Sequence, residues 1–130
     1  MAAELVGIGI DLVDIARAEE MLARFGTRAL NRLLTAEERA YVSSMGRPAT
    51  HVAARIAAKE AAFKALQALP DADSVSWQHL EVTRGHGGRP GMRLHGLAAL
   101  LAVRHGPLTI HLSLTHSELS AAAVAVLMKG

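Results

Sequence analysis

Cysteine is absent from the 130 residues, so thiol nucleophiles, disulfide frameworks, zinc-thiolate sites and iron–sulfur clusters are excluded together. Aromatic residues are nearly as scarce. Two Phe, one Tyr and one Trp make up 3% of the chain, too few to build stacking platforms for nucleic-acid bases. No apolar run reaches the roughly 18 residues that a bilayer-spanning helix needs, and Met1–Ile10 lacks the basic flank and long apolar core of a secretory signal. The expectation is a cytoplasmic protein without a membrane or nucleic-acid partner. What fills the chain instead is small and apolar. Alanine occupies 25 positions, and 51% hydrophobic against 20% charged residues suits a single domain over 1–130 whose core needs no covalent staple. The net charge is only +2, from 14 cations and 12 anions. Between Arg17 and Lys64, however, nine cations face five carboxylates, a local +4 that points to an acidic protein or a phosphate-rich ligand.

Leu5–Val13 (LVGIGIDLV) alternates as a strand, with Val6, Ile8, Ile10 and Leu12 on one face and Leu5, Gly7, Gly9 and Asp11 on the other. From Asp14 the period becomes helical through Ile15, Ala18, Leu22 and Phe25, and Gly26 stops it. Thr35-Ala36-Glu37-Glu38 fits a capping box opening a short helix that Met45-Gly46 closes. An alanine-rich helix is expected from about Thr50 to Leu69, stopped by Pro70. His79–Arg84 and Pro90–His95 flank a glycine-rich turn and read as a hairpin. A helix over Leu97–His105 and two strands, Leu108–Thr115 and Ala121–Met128, complete the order β-α-α-α-β-β-α-β-β. This is an α+β domain with a long central helix packed on a mainly antiparallel sheet.

Glu60 stands where an ordinary surface carboxylate would not. Ile56, Glu60 and Phe63 share one narrow sector of the long helix, flanked by Val52 and Leu66. A carboxylate in an apolar stripe needs a cation, a hydrogen-bond network or a metal against it. An ion pair with Lys64 one turn on is one way to meet that need. Asp11 is a second candidate, near the end of the first strand, where Gly7 and Gly9 leave room for a ligand; the alternative is that it merely caps the next helix, a role for which Asp14 competes. Together Asp11 and Glu60 offer the two hard oxygen donors that Mg²⁺ usually takes from protein. Arg55, Lys59 and Lys64 bracket Glu60 and suit the outer oxygens of a metal-bound pyrophosphate. His116 ends an alternating strand beside the hydroxyls of Thr115 and Ser117. Arg17, Met21, Arg24 and Arg28 recur at helical spacing as a basic ridge, either a solvated face or a dock for an acidic amphipathic helix.

Three segments carry a resemblance to a known family. Gly7–Ile15 (GIGIDLVDI), Arg55–Ala65 (RIAAKEAAFKA) and Ser113–Ser117 (SLTHS), with Leu34–Glu38 and Gly88-Arg89-Pro90 between them, occur in the order and at the separations of the bacterial holo-[acyl-carrier-protein] synthases. This is the short-chain type of 4′-phosphopantetheinyl transferase, and the match spans nearly the whole chain. The resemblance implies transfer of 4′-phosphopantetheine from coenzyme A to a serine of apo-acyl carrier protein, in fatty acid or polyketide synthesis. It implies Mg²⁺ held by Asp11 and Glu60, Lys64 on the reacting phosphates, and Arg55 and His116 on the nucleotide phosphates. Arg89 and Pro90 would lie near the adenosine. It further implies that Arg17, Met21, Arg24 and Arg28 dock the carrier. The family's homotrimer would share each active site between neighbours, with Asp11 facing Glu60 across an interface. Arg89 replaces the more usual lysine, and the Pro70–Ser76 segment departs from the glycine-rich stretch expected there.

Overall fold

The computed structural model describes residues 2–130, and Met1 lies outside them. The elements run β1 (Glu4–Asp14), α1 (Ile15–Phe25), α2 (Thr27–Leu33), α3 (Ala36–Ser43), α4 (Pro48–Leu66), β2 (Leu80–Arg84), β3 (Pro90–Leu94), α5 (Gly96–His105), β4 (Leu108–His116) and β5 (Ser120–Lys129). The strands form two sheets rather than one: a three-stranded sheet in the order β1-β5-β4 and the β2-β3 hairpin. Every pairing is antiparallel. Among the described residues no helix is long and apolar enough to cross a membrane.

Both ends of the long helix differ from those read in the sequence. The helix α4 begins at Pro48, where a fixed φ and a missing N–H suit the first helical position, and it ends at Leu66, before Pro70 is reached. The helix α2 was not expected. Gly26, at φ 52°, ends α1 and accepts no further turn of it, but the chain re-enters helix immediately. A glycine N-cap has no side chain with which to announce that start. By contrast, Thr35 behaves as its motif requires: its hydroxyl accepts from the Glu38 N–H at 3.3 Å, and Glu38 accepts from the Thr35 N–H at 2.9 Å. Asp14 holds the N-cap position of α1 without a side-chain hydrogen bond.

The alanines explain how α4 and the sheet meet. Ala57, Ala58, Ala61, Ala62 and Ala65 on α4 and Ala121, Ala123 and Ala125 on β5 are all buried in or beside the core. On β1 the contact is closer still. A Cβ added at Gly7 would run into the Ala65 carbonyl oxygen, and one at Gly9 into that of Ala61. These glycines therefore let strand and helix backbones touch; they do not leave open space for a ligand, which corrects the expectation that they make room for one.

Burial on α4 extends to charge. Lys59 and Arg55 are 1% and 3% exposed, more deeply buried than Glu60. The sequence placed Lys59 on a flank facing phosphate. In the structure α3 and β2 cover that flank, and its ammonium lies 2.6 Å from Glu38 and donates to the Trp77 carbonyl at 2.8 Å. Glu38 also accepts from the Val82 N–H, and Thr35 donates to the buried Glu81 at 2.7 Å. One polar network thus ties α3, α4 and the hairpin together.

Two substitutions test this packing. Gly9→Ala should cost about 3 kcal/mol in urea unfolding, because a backbone oxygen cannot step aside, whereas Gly46→Ala, whose methyl would meet nothing within 4 Å, should cost little. Lys59→Met should cost roughly 3 kcal/mol by stranding the Glu38 carboxylate.

Candidate active site

The β1–α4 contact places three chemistry-bearing side chains together. Asp11 follows Gly9 on the helix-facing side of β1, and Glu60 and Lys64 are one turn apart on α4. The Lys64 ammonium lies 3.3 Å from an Asp11 carboxylate oxygen and donates to the Ile10 carbonyl at 2.9 Å. Lys64 therefore reaches across to the strand, and among the described residues its ion pair is with Asp11, not with Glu60. The sector holding Ile56, Glu60 and Phe63 is half-buried, the partly open face of a helix otherwise covered on nearly all sides. Burial and then the neighbouring Asp11 charge push the Glu60 carboxyl above its ordinary value, with Lys64 opposing. Asp11 and Glu60 thus feel each other within a single chain, which corrects the expectation that they face one another across a subunit boundary.

The donor set fits Mg²⁺. Two hard carboxylates repelling each other, one of them already holding a cationic ammonium, are suited to a divalent ion that keeps other positions for water and phosphate oxygens. No cluster of three or more metal-ligating side chains occurs among the described residues, so protein would supply only part of the coordination. Beside Glu60 a cleft of about 200 Å³ is walled by Phe63, Val75, Ser76, Trp77 and Leu80.

The other expected site residues are not gathered there. Arg55 turns away from Glu60, with its guanidinium 4.3 Å from the Tyr41 ring centroid and its buried Nε without a partner; Arg84 covers the same ring at 4.9 Å. His116 is exposed at the end of β4 and shares an open concavity with Arg47, Thr50, His51 and Ser117. Burial, Arg55 and His116 all push His51 below its ordinary value. Arg89 and Pro90 line a third depression with Thr83, Gly85 and His86.

The basic ridge is also rearranged. Arg17, Met21 and Arg24 lie on α1, but Arg28 lies on α2, beyond the Gly26 break. Met21 is half-buried, packed toward Leu34, Val42 and Val52. Met21 and Arg28 instead meet in a groove of about 410 Å³ completed by Phe25, Arg32, Leu33 and Trp77. Arg32 and Trp77 went unnoticed in the sequence: Arg32 belongs to an unanticipated helix, and Trp77 to a linker with no periodicity.

A sequence model of the 4′-phosphopantetheinyl transferase superfamily matches residues 7–126. The holo-[acyl-carrier-protein] synthase of Solidesulfovibrio magneticus is 45% identical over 121 residues, covering 93% of this chain and 96% of the relative. The fold matches the acyl carrier protein synthase of Mycobacterium tuberculosis with a TM-score of 0.74 and 40% identity, over 95% of this chain and 97% of that one. It matches a Bacillus anthracis holo-(acyl-carrier-protein) synthase, solved in complex with CoA (3′,5′-ADP), with a TM-score of 0.76 and 32% identity, over 99% of this chain and 100% of that one. The chain belongs to the 4′-phosphopantetheinyl transferase superfamily and, within it, to the holo-[acyl-carrier-protein] synthases.

The carboxylate pair carries a stability signature. In metal-free buffer at pH 8, Glu60→Gln should raise the Tm by roughly 1–3 °C by removing a repelled, partly desolvated charge. The gain should shrink as pH falls through the raised carboxyl value of Glu60, because the protonated wild-type group no longer repels Asp11. Added Mg²⁺ should stabilise the wild type and not the variant in the same scanning fluorimetry.

Proposed function

We propose that this chain transfers 4′-phosphopantetheine from coenzyme A to a serine hydroxyl of apo-acyl carrier protein and releases adenosine 3′,5′-bisphosphate, with Mg²⁺ bound by Asp11 and Glu60. The observation that carries the reading is the convergence of Asp11, Glu60 and Lys64 at one end of the β1–α4 contact.

In this reaction the serine oxygen forms a bond to the phosphorus that bears the pantetheine arm, and the bond from that phosphorus to the bridging pyrophosphate oxygen breaks. Bound Mg²⁺ would neutralise the pyrophosphate oxygens on which charge accumulates. The serine proton leaves to the carboxylates that border it, Asp11 and Glu60, or to a neighbouring water. Lys64 is long, half-exposed and tethered only at its tip. It can leave Asp11 to contact the reacting phosphates and supply a proton or a positive charge to the leaving phosphate. Arg55, His116, Arg89 and Pro90 hold the nucleotide, and Arg17, Met21, Arg24 and Arg28 receive the acidic carrier.

The nucleotide residues occupy separate depressions of one chain, and a homotrimer would bring depressions of neighbouring copies together. The outer face of the three-stranded sheet supports that arrangement. Ile8, Ile10 and Leu12 on β1 are 66%, 66% and 67% exposed, next to Val124 and Val126 on β5, an apolar surface of the kind a second copy covers. The carrier belongs to fatty acid or polyketide synthesis in the cytoplasm.

Incubation with coenzyme A, Mg²⁺ and apo-carrier should add the mass of one phosphopantetheine group to the carrier. Asp11→Asn and Glu60→Gln should each lower kcat by about a thousandfold or more while remaining folded; near-normal turnover in Glu60→Gln would remove the proposal. Light scattering should give three times the chain mass, and Ile10→Lys should reduce that mass to one chain.

A further inference from the structure

Among the described residues, Trp77 is the one side chain that walls both the cleft beside Glu60 and the basic groove between α1 and α2. It lies in a turn, Trp77–His79, that is pinned from two directions. The Lys59 ammonium, itself buried against Glu38, donates to the Trp77 carbonyl at 2.8 Å. Next in sequence, the Gln78 side-chain amide donates to the Asn31 and Leu34 carbonyls at 2.8 and 2.6 Å, fastening the turn onto the end of α2. The indole is half-buried and held without any hydrogen bond of its own among the described residues. A large, fixed, partly open aromatic surface between two concavities is the arrangement by which binding hot spots position a partner.

The groove on its outer side has the chemistry of one kind of partner. Phe25, Leu33 and Met21 give it an apolar floor, Arg28 and Arg32 line it, Arg24 stands beside it over Phe25, and no carboxylate lines it. An acidic amphipathic helix matches that surface in charge and polarity. On the proposed function, the acceptor serine of a carrier docked there must bring its hydroxyl beside Glu60, on the inner side of Trp77. We propose that Trp77 is a positioning residue for the transfer: an acidic amphipathic helix of the carrier lies along the Phe25–Arg28–Arg32–Leu33 groove and packs an apolar side chain against the indole, which registers the acceptor serine over the Glu60 cleft. Arg32 and Leu33 thereby extend the docking surface beyond the ridge on α1. This rests on the reading of the chain as a carrier-modifying transferase.

Trp77 is also the only tryptophan in the chain, so it reports on its own surroundings. With a tryptophan-free apo-carrier whose acceptor serine is replaced by alanine, the wild-type emission should shift to the blue and saturate with the binding isotherm measured by calorimetry. Adenosine 3′,5′-bisphosphate alone should leave the emission in place. In steady state, Trp77→Ala should raise the KM for carrier about tenfold and lower kcat, with binding of adenosine 3′,5′-bisphosphate unchanged, and Trp77→Phe should recover most of the loss. An unshifted emission at saturating carrier, or a carrier KM in Trp77→Ala within twofold of wild type, would overturn the inference. If Trp77→Ala fails to fold, the wild-type emission and Trp77→Phe decide it. A wild type that modifies no carrier at all would instead remove the underlying reading, so the two failures are separable.

Discussion

The approach of β1 to α4, backbone against backbone, governs the rest of this structure. Two glycines on the strand face the carbonyls of Ala61 and Ala65 with no side chain between them. A Cβ at either place would push the strand outward by more than a van der Waals contact can absorb. Because Asp11 lies two residues beyond Gly9 and Lys64 three beyond Ala61, any such shift would carry Asp11 out of reach of the Lys64 ammonium. The site is thus a by-product of close packing. Its carboxylates are brought near each other by residues that have no chemistry of their own.

Close packing also sorts the cations of α4 into different occupations. Helix α4 is covered by the sheet on one side and by α1, α3 and β2 on the other, so charge on it survives only where something compensates it. Lys59 has Glu38 and a carbonyl; Arg55 has the faces of Tyr41 and an unfilled donor. Glu60 and Lys64, on the partly open sector, have each other's neighbourhood and Asp11. The same four charged residues that look alike in a helical wheel are, in the fold, one structural pair, one buried cation on an aromatic ring, and a reactive couple. Burial lowers the proton affinity of Lys59, with Glu38 opposing, and the ammonium is spent on Glu38 and the Trp77 carbonyl.

Much of the architecture was legible from local pattern. Alternation marked β1, the capping box at Thr35 marked α3, alanine density marked α4, and the glycine-rich turn marked the hairpin, because each of these signals acts over a few residues of contiguous chain. The helix α2 escaped because its N-cap is a glycine. The Lys59–Glu38 pair escaped for another reason: Glu38 already had a visible local role in its capping box, and its second role depends on a residue 21 positions away. The roles of Trp77 and Arg32 escaped because the groove they share is made by two segments with no periodicity linking them.

Sequence by itself determined the chemistry on offer: no thiol, two acidic residues in glycine- and alanine-rich settings, an excess of cations in mid-chain, and a family signature spread over nearly the whole length. It determined this because residue type and short-range spacing are properties of the chain alone. Tertiary structure decided which groups meet. It joined Asp11 to Lys64, buried Lys59, separated Arg28 from the helix of Arg17, and closed the interpretation of Gly7 and Gly9 in favour of contact over vacancy. Those outcomes depend on distances between elements, which are set by how small side chains let backbones approach, and no local pattern encodes that.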